Sequence, residues 1–354
     1  MRCIPPLTGT VMAITPAMLT SSTIIEAAPA AYNSGTGYAL SDTASVTTGT
    51  VVDVYQSLQN GNAAHTPGSS PTWWRLIGTT YAAWNGGTTY AAGAIVLDAP
   101  NHLEYTSQVD GNVGNALTDA TKWLPQSDNR YRMWDLSTNA ASTSPSPMVV
   151  VVTPGKRLNS LAFFGLDADT ISASLKVGVT EVWSYTSSLR ERTTTTWKDY
   201  FFGAFSFKTR LAKFDLPPVG GATLTVTLTK ASGTVSCVAC VPGVSVYMGE
   251  AELDALSDAV NFSTVTRDDF GNATLVRRRS VPTTSQVVWC EKLNLNKVKR
   301  LRDSLNAIPA VWSTQDDETD GYHQSFLILG VATRFSINAV EFEMAKINLE
   351  AEDI

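Results

Sequence analysis

The sequence is poor in charge, histidine and cysteine, and it has no long apolar run. Charged residues make up 16% of its 354 residues, below the roughly 25% usual for soluble domains. Solvated helices laced by ion pairs are therefore not its main element. The formal net charge is −6, so no basic field is expected to draw nucleic acid or an anionic membrane. Arg277-Arg278-Arg279, read as part of a strand-like stretch, is too short to change that. Only His65, His102 and His323 are present, and none has H-x-x-x-H spacing. No G-x-S-x-G, phosphate-loop or dinucleotide fingerprint occurs either. Catalysis, a cofactor and a metal are accordingly not expected.

The four cysteines are Cys3, Cys237, Cys240 and Cys290. Cys237 and Cys240 have C-x-x-C spacing but sit in an apolar, β-branched run. Positions i and i+3 of a strand point to opposite faces, so they make a poor zinc pair and read as small buried hydrophobes. Without eighteen consecutive apolar residues no membrane-crossing helix is expected. Residues 1–30 do not read as a secretory leader, being broken by Thr10, Thr15, Pro16, Thr20 and Glu26. A soluble protein made in the cytoplasm is the expectation.

What fills the chain is Thr, Ser, Ala, Val and Gly, which suit strands and tight turns. The fold class expected is mainly β. Residues 1–30 read as an N-terminal arm, 31–78 and 79–127 as two small tandem β modules, 128–246 as a β-sandwich of jelly-roll type, and 247–354 as a β-barrel-like domain with one amphipathic helix. The tandem is an internal repeat. Ala31-Tyr32-Asn33 and Tyr38 return as Ala83-Trp84-Asn85 and Tyr90, 52 residues on. From Val46 the spacing becomes 50, pairing Val46 with Val96, Tyr55 with Tyr105, Asn62 with Asn112 and Trp73 with Trp123. Each unit reads as an Asn-Gly turn, a strand, a hairpin, a second strand, a polar loop and a closing Trp. So small a unit has to draw most of its buried area from aromatics.

Beyond the modules, Asn139–Pro147 reads as a Ser/Pro linker. Met148–Val152 reads as a strand, its Val149–Val152 run buried on both faces, followed by β runs at 160–164, 171–179, 201–207, 223–228 and 235–246. Asp268–Asn272 reads as a turn, 296–305 as the helix, and Phe326–Val331 and Phe335–Leu349 as closing strands. The acidic cluster Asp316-Asp317-Glu318 with Asp320 and His323 is the best catalytic or Ca²⁺-like candidate, and its plain alternative is a solvated loop. Asp167 and Asp169 read as turn chemistry.

The module pattern Ala83, Trp84, Tyr90, Gly93, Val96, Tyr105, Trp123 resembles small chitin- and cellulose-binding modules. The first copy departs from it with Tyr32 for Trp and no Gly opposite Gly93. The resemblance implies carbohydrate binding by Trp84, Tyr90, Tyr105, Trp123, Trp74 and Tyr32. For each of these aromatics a place in the mini-core is the favoured reading, and Trp84 and Trp74 are the ones expected to be exposed. Asn159–Gly165 with Ile171–Val177 resembles galactose-binding-like jelly rolls. Ile14–Ser22, Asp269-Phe270-Gly271-Asn272, Val311-Trp312 and the closing strands resemble bacteriophage tail-tip or baseplate proteins. That likeness implies a virion tail component made in the host cytoplasm. It also implies a homo-oligomer around the tail axis that touches other tail proteins and host-surface glycans. The rival expectations are a non-catalytic carbohydrate-binding accessory protein and a hydrolase built on the 316–323 loop.

Overall fold

The computed structural model describes residues 1–191, 196–203 and 205–354. Strands hold 47% of it and helices 7%, in multiple antiparallel sheets, so the protein is mainly β. The chain begins with β1 (Arg2–Ile4) and β2 (Leu19–Ser22). The first module supplies β3 (Thr43–Thr48), β4 (Val51–Ser57) and β5 (Trp74–Tyr81), and the second β6 (Ile95–Asp98), β7 (Leu103–Ser107) and β8 (Trp123–Ser127). The middle region contains β9 (Ser142–Pro145), β10 (Met148–Val152), β11 (Ser160–Phe164), β12 (Thr170–Val177) and β13 (Thr180–Ser188). It continues with β14 (Arg190–Glu191), α1 (Trp197–Phe202), β15 (Ser206–Phe207), β16 (Arg210–Lys213), β17 (Thr223–Thr229), β18 (Thr234–Cys237) and β19 (Ala239–Gly243). Next come β20 (Val246–Tyr247), β21 (Glu250–Ala251), β22 (Leu256–Asn261), β23 (Thr264–Arg267), β24 (Ala273–Val276) and β25 (Ser280–Glu291). The chain closes with α2 (Leu295–Ser304), β26 (Ala310–Ser313), β27 (Leu327–Ala339) and β28 (Met344–Asp353).

In the middle region a five-stranded sheet, β13-β12-β17-β10-β2, and a three-stranded sheet, β16-β11-β19, share one core. Period-2 alternation sets this up: β12 and β17 bury every second residue. β11 is buried throughout, because the C-terminal sheet covers its second side. The register of that sheet explains how. Ile4, Val311 and Leu329 lie side by side across three strands and join the middle core. Cys3, Trp312 and Ile328, one residue along, join a second core on the opposite face. Val298, Leu301 and Leu305 of α2 and the residue after it close that second core. Fully burying side chains such as Phe163 or Trp312 stabilises by about 1.5–3 kcal/mol each.

Several expectations change. Residues 1–30, expected as an N-terminal arm, contribute strands to two sheets. β1 lies between β20 and β26, β2 edges the five-stranded sheet, and Ala13, Ile14 and Ile24 are core residues. The Ser/Pro segment 139–147 holds a strand, β9, whose backbone pairs with β18 while Ser142 and Ser144 are buried. Its prolines are tolerated because β9 has a partner on one side only. β10 is fully buried on one face, with Val149 and Val151 only half-buried. Within 201–207, Phe201 and Phe202 end a short helix rather than a strand, and residue 204 lies outside the described residues. The 235–246 run breaks at Val238 into β18 and β19, strands of different sheets, and Val246 already belongs to β20. The last hairpin turns after Ala339, so Phe335 and Leu349 face each other in a strand pair, and the run at 326–331, from Leu327 on, belongs to the same strand as Phe335. Arg277–Arg279 fall between β24 and β25. The barrel-like closure is not found among the described residues: the C-terminal sheet runs β20-β1-β26-β27-β28-β25-β21 and stays open.

Candidate binding modules

Each module is a three-stranded antiparallel sheet held by the same polar skeleton. The Asn33 N–H donates to the Tyr38 hydroxyl at 2.9 Å, and the Asn85 N–H to that of Tyr90 at 2.8 Å. Asn33 and Asn85 also open the turns that follow them, their Oδ1 accepting the N–H of Gly35 and Gly87, each at 2.8 Å. Asn62 and Asn112 are buried. Their Nδ2 groups donate to Ser57 Oγ and Ser107 Oγ at 2.9 and 3.0 Å, and to the carbonyls of Trp73 and Lys122 at 3.2 and 3.3 Å. The Trp74 Nε1–H reaches the His65 carbonyl at 2.6 Å, and that of Trp123 reaches Asn115 at 3.1 Å. Buried polar groups require such partners, so the long polar loop folds around its Asn rather than around apolar mass.

These bonds reset the alignment of the repeat. Trp73 matches Lys122, and the closing tryptophan of the first module is Trp74, which pairs with Ser57 as Trp123 pairs with Ser107. Ala44, not Val46, occupies the place of Val96: each lies opposite the equivalent Tyr55 or Tyr105. The two extra residues of the first copy fall in its hairpin, which runs on past Val46–Asp53 to Thr48–Val51, whereas in the second copy the equivalent pair, Asp98–Leu103, is the last. Opposite Gly93, whose φ is 84°, stands Ser41 with φ 74°. Both donate to the carbonyl of the equivalent serine, Ser107 and Ser57.

The six carbohydrate-binding candidates divide accordingly. Tyr90, Trp123 and Trp74 are 4%, 1% and 3% exposed, which leaves little ring for a ligand. Trp74, expected outside, is carried inward by the extra loop residue. Tyr90 and Trp123 meet edge to face, centroids 5.4 Å apart. Tyr32 is half-buried, stacked 5.8 Å from Tyr38 and set edge-on to Trp74 at 5.9 Å, with its hydroxyl buried and unpartnered. Trp84 and Tyr105 are half-buried against the small core of the second module. In the first module Tyr55 and Trp73 are half-buried too, and Trp73 stacks on His65 at 3.8 Å. Only a one-residue shift of the closing Trp would have marked Trp73 in the sequence. Burial, with Asp53 or Asp98 nearby, raises the pKa of Tyr55 and Tyr105, so both stay neutral phenols. Such half-open rings can pack against the apolar face of a sugar or a side chain.

The acidic loop is solvated in part, with Asp316 and Asp317 exposed, but it is not an open carboxylate cluster. Asp316 accepts from Arg2 Nε at 2.6 Å, and Glu318 accepts the Tyr185 hydroxyl at 2.8 Å and lies 3.5 Å from Lys213. Asp317 and Asp320 close local turns. His323 is buried, Nδ1 facing the Gln315 carbonyl at 3.0 Å and Nε2 accepting the Ala212 N–H at 3.3 Å. Burial lowers its pKa, which suits a neutral ring that accepts at Nε2. The loop therefore fastens the C-terminal sheet to the middle region. Asp167 pairs with Lys230 and Asp169 with Arg190, so they face different cations. All four cysteines are free and buried, and burial raises the Cys237 thiol to about 12.

At the junction of the second module with the middle region lies a polar cluster that the sequence did not reveal. Buried Glu104 pairs with Arg132 and accepts the Asn129 N–H at 3.1 Å. Glu26, His102 and Asp128 converge beside it, with Glu26 accepting from Arg130 at 3.2 Å. Burial, then the Glu26 carboxylate, pushes Asp128 up to about 8. Glu26 lies 76 residues before His102 and 102 before Asp128, so no spacing rule could join them. No protein-family model matches the chain, and a search of curated proteins finds no significant match.

Proposed function

We propose that the protein is a structural component of a bacteriophage tail tip or baseplate. It assembles with copies of itself and with other tail proteins, and its small modules face neighbours or host-surface glycans. One observation carries the reading: the ribbon β22 to β24 is exposed on both faces. Every residue of β22, β23 and β24 is exposed, including Val260, Val265, Leu275 and Val276, and Phe262 and Phe270 flank them at 50% and 90% exposure. A two-stranded ribbon is marginal alone in water, and apolar surface of this extent calls for a partner. The ribbon is tied at its base, where Arg279 donates to the Ile354 carbonyl at 2.7 Å and to Asn139 at 2.8 Å. It is thus anchored to the body while its apolar tip lies free. The aromatic segment with Trp197 and Phe202, 79% and 84% exposed, offers a further contact surface. The shared core of the five- and three-stranded sheets is consistent with a jelly-roll-like middle domain.

Co-expression with the genes flanking its own tests the proposal. The chain is expected in a tail-tip subassembly seen by electron microscopy; a chain that stays outside every particle overturns it. A second reading, a non-catalytic carbohydrate-binding accessory protein, is favoured by the half-open Trp84 and Tyr105 of the second module. Glycan-array binding by the full chain that is lost in Trp84→Ala supports it, and the absence of any glycan binding removes it.

A further inference from the structure

The cluster Glu26, His102 and Asp128 joins three separate parts of the chain. Glu26 follows β2, His102 lies in the hairpin between β6 and β7, and Asp128 follows β8. One ligand-type atom from each lies within 4.8 Å of the other two. Glu26 Oε1 contacts His102 Nδ1, and its Oε2 accepts from Arg130 Nη1 at 3.2 Å. Asp128 is 1% exposed. Its Oδ1 accepts the N–H groups of Arg130 and Tyr131, both at 3.0 Å, while Oδ2 is buried with no hydrogen-bond partner. Arg130 therefore pairs with Glu26, while no cation pairs with Asp128 among the described residues. A buried carboxylate oxygen without a donor costs free energy, and it sits in a group that offers a second carboxylate and an imidazole.

We propose that Glu26, His102 and Asp128 form a binding site for a divalent transition-metal ion of the zinc class. One imidazole nitrogen and two carboxylate oxygens are a donor set that zinc accepts. His102 is the most open of the three, its side chain 30% exposed, so solvent supplies the fourth ligand from that side. Zinc replaces the direct His102–Glu26 contact, both groups becoming ligands. The Tyr131 ring, 4.3 Å from the imidazole, limits how far His102 can swing. The ion ties the second module to the segment after β2 and to the turn that leads into the middle region. Its role is structural, holding the module's orientation.

The test uses the full chain, stripped with a chelator and titrated with zinc chloride in a calorimeter. One equivalent binds, and the melting temperature rises on binding. Asp128→Asn and His102→Gln each weaken binding about tenfold or more, whereas His65→Gln, whose ring stacks on Trp73, leaves it unchanged. X-ray absorption at the zinc edge of the wild type shows one imidazole among oxygen ligands, a readout that stands even if a variant fails to fold. Three results overturn the proposal: no zinc uptake by the wild type, equal affinity in His102→Gln, or a zinc spectrum without imidazole. No uptake together with a higher melting temperature in Asp128→Asn shows that a proton, not a metal, sits between the carboxyls.

Discussion

The two modules share one hydrogen-bond skeleton but fill it differently. The second has Gly93, Val96 and Lys122 where the first has Ser41, Ala44 and Trp73. The first compensates for its smaller Ala44 with Tyr32, which joins Tyr38 and Trp74 in a three-ring cluster. The second keeps its Trp84 at the margin and relies on Val96, Tyr90 and Trp123. What the copies retain is the polar frame of Tyr hydroxyl, turn Asn, buried Asn and closing Trp. In a unit this small, a buried amide bonded to both a side chain and the backbone fixes the loop better than apolar area can.

The largest test of this comparison is the closing ring. Trp74→Ala and Trp123→Ala each lower local stability by about 3–5 kcal/mol, read by hydrogen exchange on the strands of the affected module. If Trp73→Ala costs more than Trp74→Ala, the register that makes Trp74 the counterpart of Trp123 is wrong. Next come the buried amides. Asn62→Ala and Asn112→Ala each cost about 1–3 kcal/mol by leaving backbone groups unpaired, and equal costs in the two copies would show that the frame is common to both. A reciprocal exchange at the left-handed position is smaller. Ser41→Gly stabilises the first module and Gly93→Ser destabilises the second, each by about 1 kcal/mol; the same sign at both sites would break the equivalence. Smallest is Trp73→Lys, which copies the second module and shifts stability by about 0.5 kcal/mol or less.

The repeat was legible because aromatics, Asn and Gly recur at nearly constant spacing. Its register was not, since two loops differ in length by one and two residues, and sequence identity at Trp73/Trp123 and Val46/Val96 masks the shifts. Strands with clean alternation, such as β12 and β17, were also readable, as was α2. β1 and β9 were not, for their strand character comes from partners far along the chain: Arg2–Ile4 pairs near residues 246 and 312, and the Ser/Pro segment pairs with β18. The acidic loop looked open because its cations, Arg2 and Lys213, come from distant strands. The Glu26, His102 and Asp128 group was invisible for the same reason. The aromatic candidates could be named from the sequence, but which of them face inward depends on a single loop residue.

The ribbon differs from the modules in kind, for its apolar residues find no core within the chain. The most direct measurement is the native mass of the full chain at micromolar concentration, compared with that of a Phe262→Ser, Val265→Thr, Leu275→Thr variant. An assembly account predicts a discrete oligomer for the wild type and a folded monomer for the variant. A wild type that remains monomeric, or a variant that assembles as well as the wild type, would contradict it.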